Sequence, residues 1–173
     1  MNVHFNKDEY FPHQWDFLTS KKTINGLCGG FGSGKTHVFL RKTLYNLLTK
    51  RKEGGKSNGW IIYPTLMLAD ELFVEPFKEL LESVNLKYKY NQSTHKFITP
   101  IGSVKIYQLQ RPQRIIGSEL TFIGFDEFDV ESWKNCDMAF KKAIGRMRGI
   151  DNPEIYIVTS PEGFKYTHKI FVT

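Results

Sequence analysis

The sequence has little of what defines several large classes of protein. Its 173 residues contain two cysteines, Cys28 and Cys136, which are too few for the disulfide framework of a small secreted domain. No apolar run approaches the roughly 20 residues of a membrane-spanning helix, and the N-terminus lacks the apolar core of a signal peptide. The five histidines are scattered without the spacing of metal ligands. We therefore expect a cytoplasmic protein with no membrane partner and no structural metal.

The composition is that of a globular protein with a basic bias. Hydrophobic residues make up 40% and charged residues 24%, and the chain is long enough for one domain, 1–173, with a sizeable core. The formal charge of +6 favours a polyanionic partner.

The positive charge is concentrated in two clusters. Residues 86–115 carry six cations and no acid, with Tyr88, Tyr90, Phe97 and Tyr107 between them. The cations of this first cluster are Lys87, Lys89, Lys96, Lys105, Arg111 and Arg114. The second cluster comprises Arg41, Lys42, Lys50, Arg51, Lys52 and Lys56. Either cluster is a contact for a polyanion or, alternatively, a solvated face.

The stretch GGFGSGKTH, residues 29–37, matches the phosphate-binding pattern G-x-x-x-x-G-K-[ST]. Glycines allow the backbone to turn its N–H groups inward around phosphate oxygens. Lys35 can reach the β- and γ-phosphates, and the Thr36 hydroxyl can bind Mg²⁺. The residues expected to bind the nucleotide are Gly29, Gly30, Gly32, Ser33, Gly34, Lys35 and Thr36.

The pattern is meaningful only between a strand and a helix, and the flanking sequence predicts both. TINGLC (23–28) is typical of a short buried strand, with Cys28 as a small buried side chain. Residues 36–52 have apolar residues at helical spacing. The N-terminus of this helix adds a partial positive charge beneath the phosphates. The alternative, a glycine-rich turn that happens to precede a helix, is the weaker one.

The remaining pattern alternates strands and helices. We predict strands at 59–65, 121–129 and 152–161 and helices at 66–84 and 131–148, with Pro76 ending or kinking the first part of its helix. A turn is predicted at 52–59. Apolar and polar residues alternate in 87–92, 94–100 and 102–109, and the PIG turn between the last two segments predicts an antiparallel hairpin. The fold class is therefore α/β, with a mostly parallel sheet flanked by helices and a hairpin insertion.

The apolar stretch FIGFDE (122–127) ends in two acids, as a catalytic strand of an ATPase does. Because ligands bind beyond the carboxyl ends of parallel strands, we expect Asp126 near the Mg²⁺ held by Thr36. Glu127 would polarise the attacking water. Asp129 and Glu131 follow closely, and the alternative is an ordinary strand end with solvated carboxylates.

Other side chains fit the same site. The amide of Gln14 could read an adenine edge, or it is a surface residue at a helix start. The hydroxyls of Thr159 and Ser160 could sense the γ-phosphate, or they form only a turn. An arginine is expected to stabilise the transferring phosphate. The candidates are Arg111, Arg114, Arg146 and Arg148.

The ordered set of motifs resembles the ATPase domain of the large terminase subunit, the motor that packages DNA into tailed-phage capsids. The resembling segments are Phe11–Gln14, Gly29–Thr36, Tyr63–Thr65, Arg114–Gly117, Phe122–Glu127, Thr159–Pro161 and Phe164–Tyr166. Two isoleucines separate Arg114 from Gly117, whereas the family commonly has these residues adjacent, so Arg111, Arg146 and Arg148 stay alternatives to Arg114 as the arginine finger.

The resemblance implies a P-loop NTPase of the additional-strand (ASCE) type that uses ATP and Mg²⁺ to translocate double-stranded DNA. It also implies a homo-oligomeric ring, a portal protein and a small terminase subunit as partners, and action at the procapsid in the host cytoplasm. Large terminases continue into a nuclease domain with a carboxylate cluster, which is not found in this sequence, so we expect no nuclease activity in these residues.

Three alternatives to this function remain at the level of the sequence. A helicase-like DNA-dependent ATPase would need a second motor domain. A small-molecule kinase would use the same phosphate loop with an acceptor pocket and no dependence on DNA. A nucleotide-binding assembly protein would show little turnover.

Overall fold

A computed structural model describes residues 3–51, 55–117, 119–148 and 150–172. The strands of the described residues are β1 (Ile24–Cys28), β2 (Ser57–Tyr63), β3 (Lys89–Asn91), β4 (Lys96–Thr99), β5 (Gly102–Gln108), β6 (Phe122–Asp126) and β7 (Glu154–Thr159). They form one sheet in the order β1-β7-β6-β2-β5-β4-β3. The neighbouring strands β1 and β7, β7 and β6, β6 and β2, and β2 and β5 run parallel. The pairs β5 and β4, and β4 and β3, are antiparallel. The predicted mostly parallel sheet and its hairpin are confirmed.

Helices connect the parallel strands. They are α1 (Pro12–Thr19), α2 (Lys35–Thr49), α3 (Leu66–Ala69), α4 (Glu75–Ser83), α5 (Trp133–Ile144) and α6 (Tyr166–Phe171). Short 3₁₀ turns lie at Lys7–Glu9, Pro112–Arg114 and Phe128–Val130. None of the helices in the described part of the chain is long and apolar enough to cross a membrane. Part of the predicted turn at 52–59, including Lys52, lies outside the described residues.

The helical stretch around Pro76 continues without ending there. A π-helical turn, Asp70–Val74, joins α3 to α4, and Pro76 lies in the first turn of α4. Proline has no backbone N–H and its ring clashes with the carbonyl four residues earlier, so a regular α-helix could not pass through it. The wider hydrogen-bonding pattern of the π turn precedes that position. The predicted end or kink at Pro76 takes the form of this interruption, in which the first α-helical part ends at Ala69 and a new one begins at Glu75.

The core has two layers, one on each face of the sheet. One layer joins α1, α2 and α4 to the sheet, with Phe39, Phe73 and Tyr156 near its centre. The other joins α5 and α6 to the opposite face around Phe125 and Phe128. The two layers fix the sheet between helices and hold its carboxyl edge in place.

Strand β1 lies at an edge of the sheet and is less buried than the sequence predicts. Among the described residues it pairs only with β7. Its residues are half-buried or exposed, and Cys28 is exposed. The expectation of a buried strand with a buried Cys28 is wrong, because apolar composition does not distinguish a central strand from an edge strand.

A buried ion pair joins α2 to the start of β7. The Lys42 ammonium lies 2.7 Å from a Glu154 carboxylate oxygen, and both side chains are fully buried. Lys42 also donates to the Leu18 carbonyl at 2.8 Å, and Lys50 lies 3.9 Å from the other Glu154 oxygen. Burial lowers the pKa of Lys42 and raises that of Glu154, while their mutual attraction opposes both shifts.

The second basic cluster is therefore not one continuous basic surface. Lys42 and Lys50 turn inward to Glu154, whereas Arg51 and Lys56 are exposed. Neither the polyanion contact nor the solvated face proposed from the sequence describes the two buried lysines. Charge counts along the chain cannot reveal a partner that lies about a hundred residues away.

We expect Lys42→Met to lower the free energy of unfolding by about 3–5 kcal/mol, because it leaves the Glu154 carboxylate buried without its close partner. Urea denaturation measures the loss. The control is Lys42→Met combined with Glu154→Met, which removes both charges and should recover most of the stability. If Lys42→Met alone has a free energy of unfolding within about 1 kcal/mol of the wild type, the expected cost of leaving Glu154 buried without Lys42 is contradicted.

Candidate active site

The phosphate-binding pattern folds as a tight loop between β1 and α2. Gly32 and Gly34 adopt left-handed backbone conformations with φ of 75° and 74°, which favour glycine. The Lys35 ammonium donates to the Gly30 carbonyl at 3.0 Å, and the Ser33 hydroxyl donates to the same oxygen at 2.8 Å. Side chains added at Gly30 or Gly32 would meet no atom within 4 Å, so both glycines border open space. The loop thus leaves room for a ligand beside its backbone.

Gln14 holds this loop from the side of α1. Its amide nitrogen donates to the Ser33 carbonyl at 3.0 Å, and its amide oxygen accepts from the Phe11 N–H at 3.0 Å. The side chain is buried, and a Cβ at Gly34 would overlap it. Both ends of the amide are thus engaged within the protein, and contact of Gln14 with adenine stays a prediction.

Asp126 lies buried at the end of β6, and both of its oxygens accept hydrogen bonds. The Tyr63 hydroxyl donates to one at 2.8 Å, and the Glu127 N–H donates to the other at 2.9 Å. Burial raises the pKa of Asp126 to about 7, while the Tyr63 hydrogen bond and the positive charge of Lys35 act in the opposite direction. The paired ends of β1, β7 and β6, with the hydrogen bond from Gly29 to Thr159, bring the phosphate loop and the acidic strand end to one edge of the sheet.

Glu127 turns away from the strand into a different environment. Its backbone is left-handed, with φ of 48° and ψ of 47°, a conformation that is unfavourable for a residue with a Cβ. Its carboxylate accepts from the Ser160 N–H and from the Ser160 hydroxyl, each at 3.3 Å. The two adjacent acids therefore differ, since Asp126 is buried and Glu127 lies half-buried against the end of β7.

Thr159 joins three parts of the site. Its carbonyl accepts from the Gly29 N–H at 3.2 Å, and its hydroxyl accepts from the Asp129 N–H at 3.3 Å. The phosphate loop, the end of β7 and the turn after β6 are thus connected through one buried residue.

The other two candidate acids serve local structure. Asp129 is buried, and its carboxylate accepts from the Thr167 N–H in the first turn of α6 at 2.9 Å. Glu131 accepts from the Asn135 side chain at 3.2 Å. Asp126 and Glu127 are the acids left for chemistry at this edge.

The residues present fit a magnesium ion. Thr36, half-buried in the first turn of α2, and Asp126 offer the oxygen ligands that Mg²⁺ prefers. A carboxylate has about four acceptor positions, and the bonds from Tyr63 and Glu127 use two of those on Asp126. Capacity for a metal-bound water therefore remains.

The four candidate arginines are all exposed: Arg111, Arg114, Arg146 and Arg148. Arg114 ends a 3₁₀ turn that packs beside α5, where Lys142 donates to the Gln113 carbonyl at 3.0 Å. The adjacent Ile115 belongs to the α5 layer, whereas Val38 and Phe39 of α2 belong to the other layer. Arg114 and the phosphate loop thus lie on elements that pack against opposite faces of the sheet.

Solved structures with a similar architecture include several phage DNA-packaging proteins. The large terminase of a thermophilic bacteriophage aligns with a TM-score of 0.75 over 93% of this chain, at 16% sequence identity. The ATPase domain of the Thermus phage P74-26 large terminase aligns with a TM-score of 0.71 over 94% of it, at 19% identity. The chain has the fold of a large terminase ATPase domain.

Two further facts bound that comparison. The N-terminal domain of the phi29 DNA packaging ATPase also aligns, with a TM-score of 0.66 at 13% identity. The chain spans 41% of the thermophilic phage protein, 70% of the P74-26 domain and 84% of the phi29 domain. The thermophilic phage protein has also been solved with ADP and with ATP-γ-S. No family model and no curated protein sequence matches the chain.

Tyr63 is the residue of this site that the sequence interpretation missed. It was noticed only as part of a Tyr-Pro-Thr segment, yet its hydroxyl contacts the Asp126 carboxylate. The sequence feature that could have predicted this contact is a tyrosine at the end of an apolar strand, where a hydroxyl can reach the carboxyl edge of the sheet. Thr65 of the same segment accepts from the Leu68 N–H at 3.1 Å and caps α3.

We expect Tyr63→Phe to lower the free energy of unfolding by about 1.5–3 kcal/mol, because it removes a hydrogen bond to a buried carboxyl group. Urea denaturation of Tyr63→Phe, Asp126→Asn and the double variant gives the coupling between the two side chains. A coupling near zero would show that the hydroxyl does not stabilise Asp126. Tyr156→Phe, which removes a buried hydroxyl bonded to Thr43 at 2.7 Å, is the control for general effects of losing such a group.

Proposed function

We propose that the chain hydrolyses ATP with Mg²⁺ and uses the energy to translocate double-stranded DNA into a viral capsid, as the ATPase of a terminase packaging motor. The observation that carries this is the meeting of the phosphate loop, Asp126 and Glu127 at one edge of a sheet with the terminase ATPase fold. The activity in the host cytoplasm, at the procapsid, is part of the same proposal.

In this proposal the loop binds ATP through its backbone. The N–H groups around Gly30, Gly32, Ser33 and Gly34 surround the phosphate oxygens, and Lys35 exchanges its contact with the Gly30 carbonyl for the β- and γ-phosphates. Thr36 and Asp126 would hold Mg²⁺, which neutralises charge on the phosphates when bound. Glu127 orients and polarises the attacking water.

Thr159 and Ser160 would couple the site to the rest of the molecule. The Glu127 carboxylate contacts Ser160, and Thr159 bonds Gly29, so a change at either acid or loop reaches the end of β7. Arg114, exposed beside α5, would act as the finger on a neighbouring subunit of a homo-oligomeric ring. The portal protein and a small terminase subunit complete the proposed assembly, and no nuclease step is assigned to these residues.

The direct test is ATP turnover against protein concentration, with and without duplex DNA. We expect turnover to rise faster than linearly with concentration and to increase with DNA, because assembly would supply the finger. Glu127→Gln should retain nucleotide binding and lose turnover, and Lys35→Ala should lose binding of the phosphates. Turnover that is linear and indifferent to DNA would point instead to a kinase, and strand separation would point to a helicase.

A finger supplied by a neighbour can be tested by mixing two inactive variants. Arg114→Ala alone should lose about 10³–10⁵ in turnover. Glu127→Gln should lose turnover as well, because each variant removes a different component of the shared site. A mixture should regain part of the wild-type rate, since an intact site on Arg114→Ala receives the arginine of Glu127→Gln. Steady-state turnover of the mixture across several ratios measures this.

The matched controls are Arg111→Ala, Arg146→Ala and Arg148→Ala, each of which removes another exposed arginine. If one of these variants, and not Arg114→Ala, loses turnover and is rescued by Glu127→Gln, then the finger is that residue. A loss in Arg114→Ala without rescue at any ratio would contradict action on a neighbour.

A further inference from the structure

The hairpin presents a basic and polar face that the proposed active site does not use. Strand register places Lys96 opposite Lys105, Asn91 opposite Lys96, and Lys89 opposite Ile98. Directly opposed residues share a face of a sheet, and alternate residues of a strand do too. We call this the hairpin face, formed by Lys89, Asn91, Lys96, Ile98, Ser103 and Lys105.

The hairpin face lies on the α5 side of the sheet. Lys105 is opposite Trp60, which belongs to the α5 layer, whereas Phe97 and Val104 point into the other layer. Ile98 is 48% exposed, and Lys96 and Lys105 are half-buried. Lys89 and Asn91 are exposed as well, so this side of the hairpin borders solvent.

Lys96 and Lys105 are forced close together by the strand pairing. The Ile106 N–H donates to the His95 carbonyl at 2.8 Å, which makes the neighbouring Lys96–Lys105 pair one of the closely spaced, non-hydrogen-bonded type. Like charges directly opposite each other are destabilising. An anion that contacts both ammonium groups would relieve this repulsion.

Nothing acidic in the described residues neutralises this pair. None of the ion pairs among them involves Lys89, Lys96 or Lys105. The Lys105 ammonium lies 4.8 Å from the centre of the Tyr107 ring. Both lysines line a cavity of about 180 Å³ whose walls include Asn58, Ser103 and Gly117 and no carboxylate.

The size and the lining of the cavity select the kind of anion. About 180 Å³ is below the roughly 300–1,000 Å³ of pockets that enclose whole small-molecule ligands, and it accommodates one phosphate group. Trp60 and Tyr107 are buried, so they offer no exposed ring on which the bases of a single strand could stack. Contact with the phosphates of a duplex backbone fits both observations.

We propose that the hairpin face is a binding surface for the phosphate backbone of duplex DNA, with one phosphate held between Lys96 and Lys105. The choice of duplex DNA over another phosphate polymer rests on the proposed function. The contact is sequence-independent, because it involves ammonium groups and backbone phosphates only. It lies toward the edge of the sheet opposite to β1 and the phosphate loop.

The test is binding of a fluorescent 20-base-pair duplex, without nucleotide, across a range of salt concentrations. Lys96→Gln combined with Lys105→Gln should reduce the slope of log affinity against log salt by about 0.9, the contribution of the one phosphate that the two lysines share. That slope change corresponds to an affinity loss of about 8-fold at 0.1 M salt if both proteins bind equally at 1 M.

The matched control is Lys21→Gln combined with Lys22→Gln, which removes the same charge from two exposed lysines just before β1, at the other edge of the sheet. Its slope should change much less than that of the hairpin variant. Equal changes in both variants, or none in the hairpin variant, would overturn the proposal. Calorimetry with inorganic phosphate distinguishes a site for the free ion from a site for the DNA backbone. If the free ion binds and needs both lysines while the salt dependence of DNA binding is unchanged in the hairpin variant, the proposal is overturned.

Folding is checked in the same variants. Because opposed like charges are removed, the hairpin variant should unfold at the wild-type temperature or above. If the double variant fails to fold, Lys105→Gln alone should still reduce the slope, by at most about 0.9.

Binding and turnover keep the two proposals apart. A hairpin variant with wild-type ATP turnover in the absence of DNA and a reduced DNA slope supports the inference. If DNA stimulates ATP turnover of the wild type but the hairpin variant binds DNA with an unchanged salt slope, the inference is overturned and the motor function stands. Loss of DNA binding in the hairpin variant, with no turnover in the wild type, supports the inference and contradicts the motor function.

Discussion

Three parallel strands, held in register by their backbone hydrogen bonds, bring together the phosphate loop, the two acids Asp126 and Glu127, and Thr159. Cys28 at the end of β1 lies opposite Thr159 of β7, and Asp126 at the end of β6 lies opposite Val158. The strand ends therefore coincide to within one residue. A slip of one residue would turn each side chain to the other face of the sheet, so the site depends on this register more than on any single side-chain contact.

Two acids that are adjacent in the chain acquire different properties from the way the backbone leaves β6. Asp126 stays in the strand, where burial and the Tyr63 hydroxyl determine its environment. Glu127 takes a left-handed conformation that moves its carboxylate to Ser160. The unfavourable backbone conformation is held by hydrogen bonds on both sides of it, and it gives the two adjacent carboxylates different surroundings.

The sequence predicted those parts of the molecule that depend on local pattern. The glycine loop, the acidic strand end, the hairpin and the mostly parallel sheet all follow from spacing and alternation. Features that depend on distant neighbours were not predictable. Cys28 is exposed because β1 is an edge strand. Lys42 is buried in an ion pair with Glu154, which lies more than a hundred residues further along the sequence. The role of Tyr63 was missed for the same reason, since its partner belongs to another strand.

The amide of Gln14 ties the first helix to the phosphate loop, because it bonds Phe11 on one side and Ser33 on the other. Any ligand that favours the loop conformation required by this amide also favours the folded state of the N-terminal segment. Thermodynamic linkage makes the effect reciprocal: to the extent that ordering of α1 tightens the grip on a nucleotide, a bound nucleotide protects α1 from local unfolding by the same factor. Hydrogen exchange in the first twenty residues therefore reports on occupancy of a loop that they do not themselves form.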